Sequence, residues 1–334
     1  MPANVTVLLL VVLGLAVLFD YINGFHDTAN AIATSVSTRA LKPEHAILMS
    51  ATANFVGALT GTAVAKTIAS GLATTPDGPA GQTVIAAALV GAIVWNLLTW
   101  RLGIPSSSSH AIIGGLLGAV IVSIGFAAIK LDGVRDKVLL PLIVSPVAGV
   151  VVGFLLMVVL LNVFQHANPR RLNERFRRLQ ILSAAYMAFS HGSNDAQKTM
   201  GIMTLALFAA GVLPTADIPL WVILLAASAI SLGTAAGGWR IIRTMGQKVV
   251  KLDPIHGFAA ETTAATIIFT ASHFGMPVST THVISSAIIG VGASDRLSAV
   301  RWGVAGNIVI AWIVTIPASA AVAAGAYILL DLVI

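Results

Sequence analysis

The stretch Gly24-Phe25-His26-Asp27-Thr28-Ala29-Asn30 places an acid inside an otherwise apolar segment, and further along the chain reads Pro105-Ser106-Ser107-Ser108-Ser109-His110. The second half repeats this order with Gly192-Ser193-Asn194-Asp195-Ala196-Gln197-Lys198 and then Pro277-Val278-Ser279-Thr280-Thr281-His282. The acid and the histidine are 83 residues apart in the first copy and 87 in the second. Duplicated polar clusters in an apolar chain are typical of transporters built from paired repeats.

The composition places the chain in a membrane. Hydrophobic residues make up 57% of the sequence and charged residues 10%, against about 25% charged residues in a soluble domain. Apolar runs close to or above the ~20 residues of a spanning helix occur at 5–19, 84–98, 138–164, 220–232 and 304–334. Lipid cannot satisfy an unpaired backbone, and no alternation typical of a β-barrel is present. We therefore expect an all-α polytopic membrane protein with about ten to twelve helical segments.

A short basic stretch at 168–179 separates the two halves and contains five arginines. The positive-inside rule places it in the cytoplasm, although the same residues would also suit a surface against anionic lipid. The net charge of +6 therefore does not indicate a nucleic-acid partner. The absence of cysteine from the sequence excludes disulfides, thiolate metal sites and a cysteine nucleophile.

The chain divides into repeat one at 1–167, the linker at 168–179 and repeat two at 180–334. Each repeat contains a re-entrant helical hairpin, the first near 104–125 and the second near 275–294. If each repeat crosses the membrane an odd number of times, the two have inverted topology and a site forms where they meet at mid-depth.

The Pro-Ser/Thr-His elements predict helices that begin inside the membrane. Proline disfavours helix for the residue before it, and the hydroxyls that follow are good N-caps. A helix start presents free amides and the positive end of the helix dipole, which together favour an anion such as phosphate. The alternative is that the hydroxyls only satisfy backbone carbonyls in a kinked helix. The candidate phosphate-binding hydroxyls are Ser107, Ser108, Ser109, Ser279, Thr280 and Thr281.

Asp27 and Asp195 are candidate coupling residues, because an ionisable side chain in a spanning segment is costly. Asn30 and Asn194 supply neutral oxygens beside them, which suit sodium, while a proton is equally compatible. A structural pairing with a neighbouring helix is the alternative. Lys198, three residues after Asp195, is either the partner of that acid or a clamp for the anion.

Glu261 adds a third acid in an apolar helix. With Lys198 as the one cation, three ionised acids leave about −2 in a low-dielectric site. An anion would enter such a site only together with cations, so the residues predict symport. His26 beside Asp27 could pass a proton. His110 and His282 fit capping, packing or a proton relay, and His191 is interpreted as a helix cap.

At these residues the chain strongly resembles the inorganic phosphate transporter (PiT) family. The resemblance implies inverted repeats around a central phosphate site with cations close by. Asp27, Asn30 and Asp195 would lie at that site, where sodium could also bind, and the hydroxyls of both helix starts would ligate phosphate. Glu261 matches a family acid, and Asn307 falls in the Asn-x-x-x-Ala-Trp helix of the family.

His26-Asp27 stands where many members of the family have Asn-Asp, so the chain resembles the bacterial low-affinity, proton-coupled branch. That branch is thought to accept neutral divalent metal–phosphate complexes, and no resident cofactor is expected. We predict a phosphate symporter of the bacterial inner membrane, in contact with lipid and with a homodimer as an open alternative. A sulfate permease of the same fold and a divalent-metal transporter are the competing hypotheses. An enzyme is not expected, because no Gly-x-Ser-x-Gly nucleophile elbow is present.

Overall fold

The computed structural model describes residues 3–70 and 72–332. Within those residues it is almost entirely helical and contains thirteen α-helices, two of them with only four or five residues. The predicted all-α class is confirmed. The helices of the first half are α1 (Ala3–Ser37), α2 (Pro43–Ala58), α3 (Ala63–Ser70), α4 (Gly78–Leu102), α5 (Ser108–Ile124), α6 (Leu131–Val134) and α7 (Leu140–Val163). Those that follow are α8 (Pro169–Ala209), α9 (Leu220–Ala236), α10 (Trp239–Arg243), α11 (Pro254–His273), α12 (Thr280–Asp295) and α13 (Trp302–Asp331).

Four described helical segments are long and apolar enough to cross a membrane by themselves, namely Val7–Ser37, Gly78–Leu102, Leu131–Val163 and Trp302–Asp331. The third is continuous because a π-helical turn, Arg135–Leu139, joins α6 to α7. Two further helix pairs qualify if each is one broken span. The α2–α3 pair bends by 70° and the pair formed by α9 and 239–248 bends by 61°. The prediction of a polytopic membrane protein is confirmed.

Helices of the two halves pack against each other in matched pairs. Helix α1 contacts α9 while α8 contacts α2, and α5 contacts α13 while α12 contacts α7. Helix α4 contacts α13 in the same way that α11 contacts α7. Each of these contacts between the halves thus has a counterpart with the roles exchanged, as two related repeats would produce. The inversion of the repeats remains a prediction.

Two glycines at equivalent positions allow the α5–α13 and α12–α7 contacts. A Cβ on Gly118 of α5 would lie 2.2 Å from the Ala320 carbonyl oxygen, and one on Gly290 of α12 would lie 2.2 Å from the Val150 carbonyl oxygen. Both contacts therefore require a residue without a side chain, as expected where helix backbones approach closely in a membrane. Gly118 and Gly290 each follow the histidine of their own helix start by eight residues.

The basic stretch at 168–179 is helical and belongs to the first turns of α8. Asn168 caps this helix, because its side-chain oxygen accepts a hydrogen bond from the Arg170 amide at 3.0 Å. Pro169 occupies the first helical position, where its missing amide hydrogen costs nothing. The basic stretch therefore continues without a break into the helix that carries Asp195 and Lys198.

Candidate functional site

Both Pro-Ser/Thr-His elements form helix starts inside the protein. Gly103 ends α4 with a φ of +67°, and an extended segment leads to Ser107, whose hydroxyl accepts a hydrogen bond from the His110 amide at 3.1 Å. In the second half, Ser279 caps α12 by accepting from the His282 amide at 3.2 Å. All six candidate hydroxyl residues are buried. The prediction of two capped helix starts is confirmed.

The two helix starts face each other at the centre of the molecule. The rings of His110 and His282 lie 4.8 Å apart between centroids, and the His282 ring stacks on Trp312 at 4.1 Å. The Ser109 hydroxyl lies 3.3 Å from the Val278 carbonyl oxygen, to which it donates a hydrogen bond. The duplicated motifs therefore build one site from both halves of the chain.

Lys198 of α8 crosses this junction. Its ammonium group donates hydrogen bonds to the Asp195 carboxylate, to the Ser109 hydroxyl and, at 2.9 Å, to the Val278 carbonyl oxygen. The side chain is buried. Lys198 therefore contacts the acid and both helix starts, which makes it the positive charge at the meeting point.

Asp195 is held from three sides. Besides Lys198, its carboxylate accepts a hydrogen bond from the Thr280 hydroxyl at 2.9 Å, and the His191 Nε2 atom lies 2.9 Å from its Oδ2. The other ring nitrogen of His191 lies 2.9 Å from the Asn54 side-chain oxygen. The interpretation of His191 as a helix cap is therefore wrong, because its position one turn before Asp195 directs the ring onto the carboxylate.

Asp27 is in contact with the imidazole of the preceding residue, His26. The His26 Nδ1 atom lies 2.6 Å from Asp27 Oδ1, and the His26 Nε2 atom lies 3.1 Å from the Thr99 hydroxyl of α4. One ligand atom each of Asp27, His191 and Asp195 lies within 4.8 Å of the others. These two carboxylates and the imidazole could hold a cation between α1 and α8.

Asn30 links α1 to the second helix start. Its side-chain amide donates to Thr281 at 2.9 Å and to Thr280 at 3.3 Å. Among the described residues, its side-chain oxygen has no hydrogen-bond partner, and neither does the buried Ser108 hydroxyl. Buried polar atoms without partners are uncommon in proteins and need an explanation. Free amides, hydroxyls and Lys198 together form a donor set that suits an oxyanion.

Among the described residues, three predicted coupling residues form no hydrogen bond with Asp27 or Asp195, and their coupling role stays a prediction. Glu261 accepts hydrogen bonds from Thr34, Ser183 and Gln180, the last at 3.1 Å, in a separate buried cluster. Asn194 donates to the Ser272 hydroxyl at 2.8 Å. Spacing along the sequence did not show which helices these two side chains would face.

Asn307 is exposed on α13, where it lines a mainly apolar cavity of about 520 Å³. Thr99 lines the same cavity and also contacts His26. Asn307 therefore does not join the two acids.

Sequence reasoning missed Asp20, which is buried on α1 and accepts a hydrogen bond from the Thr199 hydroxyl at 2.9 Å. Asp20 precedes Asp27 by seven residues, which places both on one face of a helix. That spacing is the signal that could have found it. A search for duplicated motifs could not, because the second half has Ala188 seven residues before Asp195.

A buried site of this kind, built between the halves of a polytopic helical protein, defines a membrane transporter. The chain belongs to the phosphate transporter family, whose sequence pattern matches residues 23–323. The predicted family, the multi-pass location in a bacterial cell membrane and the expectation of a transporter rather than an enzyme are thereby confirmed.

Curated relatives and a solved structure agree with this family. The chain is 52% identical to a "probable low-affinity inorganic phosphate transporter" of Bacillus subtilis, over 98% of this chain and 97% of that protein. A protein of the same description from Rhizobium meliloti is 48% identical over 98% of this chain and 97% of its own length. A solved structure titled "The sodium-dependent phosphate transporter" superposes with a TM-score of 0.89 at 28% identity, covering 98% of this chain and 100% of that one.

Proposed function

We propose that the protein is a secondary active symporter that moves inorganic phosphate together with protons. The observation that carries this proposal is the convergence of two helix starts and Lys198 on one buried point beside Asp27 and Asp195. The helix starts and the lysine favour an anion, while the two acids favour cations. In a site with both preferences, the affinity for the anion depends on whether the cation is bound, and the reverse is also true.

The charges explain why phosphate would not enter alone. Asp27, Asp195 and Lys198 give the centre a formal charge of about −1, and phosphate adds further negative charge in a buried region. Binding a cation at the carboxylates removes that repulsion. Each ligand therefore raises the affinity for the other, which is the thermodynamic requirement for coupling.

Protons are favoured over sodium because each central acid contacts an imidazole. His26 lies 2.6 Å from Asp27 and His191 lies 2.9 Å from Asp195. An imidazole beside a carboxylate can act as a proton shuttle, because a proton can pass between the two groups. Hard cations prefer oxygen ligands, and here a nitrogen lies against each carboxylate.

Sodium is the second candidate. The likeness to a structure titled as sodium-dependent favours it, and so do the two carboxylates in the cluster of Asp27, His191 and Asp195. Asn30 offers a further oxygen nearby. A divalent metal carried together with phosphate would use the same carboxylates, and a transporter of metal alone would leave the donors at the helix starts without a role.

Phosphate is favoured over sulfate by the same acids. Phosphate near neutral pH carries a proton and can donate a hydrogen bond to a carboxylate, whereas sulfate is fully ionised and can only accept. Next to Asp195 and Asp27 a sulfate ion would meet unrelieved repulsion.

Uptake of radiolabelled phosphate into liposomes containing the purified protein tests the proposal. We expect an inward proton gradient to drive uptake without sodium, and unlabelled sulfate to compete poorly. The His26→Asn variant should change the pH dependence across about pH 5.5 to 8. If uptake requires sodium and does not respond to the pH gradient, the coupling ion is sodium and not the proton. If neither gradient drives uptake, symport is refuted.

A further inference from the structure

A buried polar stripe runs along one face of α1. Asp20, Asn23, Asp27, Asn30 and Thr34 follow one another at spacings of three and four residues, which keeps them on a single face of the helix. All five side chains are buried. At 1.5 Å per residue the stripe is about 21 Å long, which is most of the ~30 Å hydrocarbon thickness of a bilayer.

The central site occupies the middle of this stripe and an acid lies at each end. Thr34 donates a hydrogen bond to Glu261 at one end. Asp20 forms the other end, about 10 Å along the helix axis from Asp27. The stripe therefore contains the carboxylates of Asp20 and Asp27 and reaches that of Glu261 through Thr34, so it connects three buried acids at different positions along the helix axis.

Asp20 is poorly satisfied for a buried carboxylate. Its Oδ1 accepts a hydrogen bond from the Thr199 hydroxyl, and the Asn23 side chain also interacts with the carboxylate. Within the described part of the chain its Oδ2 has no hydrogen-bond partner, and the side-chain oxygen of Asn23, one turn further along α1, has none either. Two unpartnered oxygens thus occur close together on one buried face.

The surrounding charges do not compensate Asp20. The charged groups that act on it are Asp195, which repels it, and Lys198, which attracts it. Lys198 already donates to Asp195, Ser109 and the Val278 carbonyl oxygen. An acid with a purely structural role would be paired, because an unpaired charge in a membrane segment is costly and its usual explanation is function.

We propose that Asp20 forms a further cation-binding site with Asn23 and Thr199, through which the coupling ion passes on its way to or from Asp27. The proposal rests on cation-coupled transport as inferred above. The oxygens of these three residues suit either a proton or a sodium ion. Ala188 stands at the equivalent position of the second half, so the proposed site has no counterpart there.

The test compares net transport with exchange. Wild-type protein and the Asp20→Asn and Asp20→Glu variants are reconstituted in liposomes, and phosphate uptake is driven by a proton gradient in one arm and by a sodium gradient in another. In a third arm, labelled phosphate outside exchanges with unlabelled phosphate inside at equal pH and equal sodium. Exchange needs the loaded carrier but no net release of the cation.

We expect Asp20→Asn to lose gradient-driven uptake and to keep phosphate exchange, which also shows that the variant is folded. Asp20→Glu should restore net uptake. Asp132→Asn is the matched control, since it neutralises an acid whose side chain is 90% exposed, and it should match the wild type in all arms. The arm whose gradient drives the wild type identifies the cation.

Two results for Asp20→Asn would overturn the proposal. Net uptake equal to the wild type would show that no cation uses Asp20. An equal loss of net uptake and exchange would place Asp20 in phosphate binding or in folding. The measurements on the wild-type protein test symport separately. If neither gradient drives phosphate uptake by the wild-type protein, the proposed function itself is wrong, whatever the variants show.

Discussion

Replacing Lys198 by glutamine should weaken phosphate binding by about tenfold to a hundredfold. The three hydrogens of its ammonium group are all donated, to Asp195, Ser109 and the Val278 carbonyl oxygen. An incoming phosphate can accept a hydrogen bond from Lys198 only by displacing one of these acceptors. The variant keeps a polar side chain that is one atom shorter, and it removes the positive charge and one of the three donor hydrogens.

The magnitude follows from the exchange of hydrogen bonds at Lys198. A hydrogen bond to a charged group contributes about 1.5–3 kcal/mol. If the bond from Lys198 to a hydroxyl or carbonyl lies at the lower end of this range and the bond to the anionic phosphate at the upper end, the exchange gains about 1.5 kcal/mol, close to tenfold in Kd. The upper limit is the full hydrogen bond between the ammonium group and the phosphate, about 3 kcal/mol, which is on the order of a hundredfold in Kd.

Equilibrium binding of radiolabelled phosphate to the purified protein in detergent measures this change. Lys198→Arg keeps the charge and should lie closer to the wild type than Lys198→Gln. Lys251→Gln removes an exposed lysine and should leave Kd unchanged. If Lys198→Gln binds phosphate with the wild-type Kd while remaining folded, Lys198 is only the structural partner of Asp195 and the anion site lies elsewhere.

Four further outcomes are expected. Asp27→Asn should abolish uptake in a folded protein, and full uptake would make that acid structural. Ser108→Ala should raise the KM for phosphate without changing the thermal midpoint, because among the described residues its hydroxyl has no partner, whereas Thr280→Ala should affect both, since its hydroxyl donates to a carboxylate. Equal midpoints for these two alanine variants would contradict this difference. A cysteine at position 173 in place of Asn173 should react with impermeant thiol reagents only from the cytoplasm, and labelling of intact cells from outside would reverse the topology. Gly118→Val should lower the thermal midpoint, because a Cβ would lie 2.2 Å from a carbonyl oxygen, and an unchanged midpoint would mean that α5 and α13 can separate.

The sequence predicted the centre of the site because duplication marks it. Two acids and two proline–hydroxyl–histidine elements recur in one order, and the structure brings members of both copies into contact; their roles in binding phosphate and cations stay predictions. The helix starts were also predictable, since proline and serine impose them locally. Their convergence follows only if the two halves pack against each other.

The side-chain contacts of some candidate residues could not be predicted from the sequence. Glu261 and Asn307 were expected near the acids, yet Glu261 contacts Thr34 in a separate cluster and Asn307 faces a cavity. The rotation and depth of α11 and α13 decide this, and both depend on packing between helices rather than on spacing along the chain. The positions of Asp20 and His191, in contrast, could have been predicted from the sequence. Helical spacing alone places Asp20 on the face of Asp27 and His191 on the face of Asp195.

An experimental structure with bound arsenate tests the central claim most directly, because arsenate is a tetrahedral analogue of phosphate and arsenic scatters anomalously. We predict one strong anomalous peak between the start of α5 and the start of α12, within hydrogen-bond distance of the Lys198 ammonium group and of hydroxyls from both halves. A peak at the cavity beside Asn307, or beside one helix start without Lys198, would contradict a phosphate site shared by the two repeats.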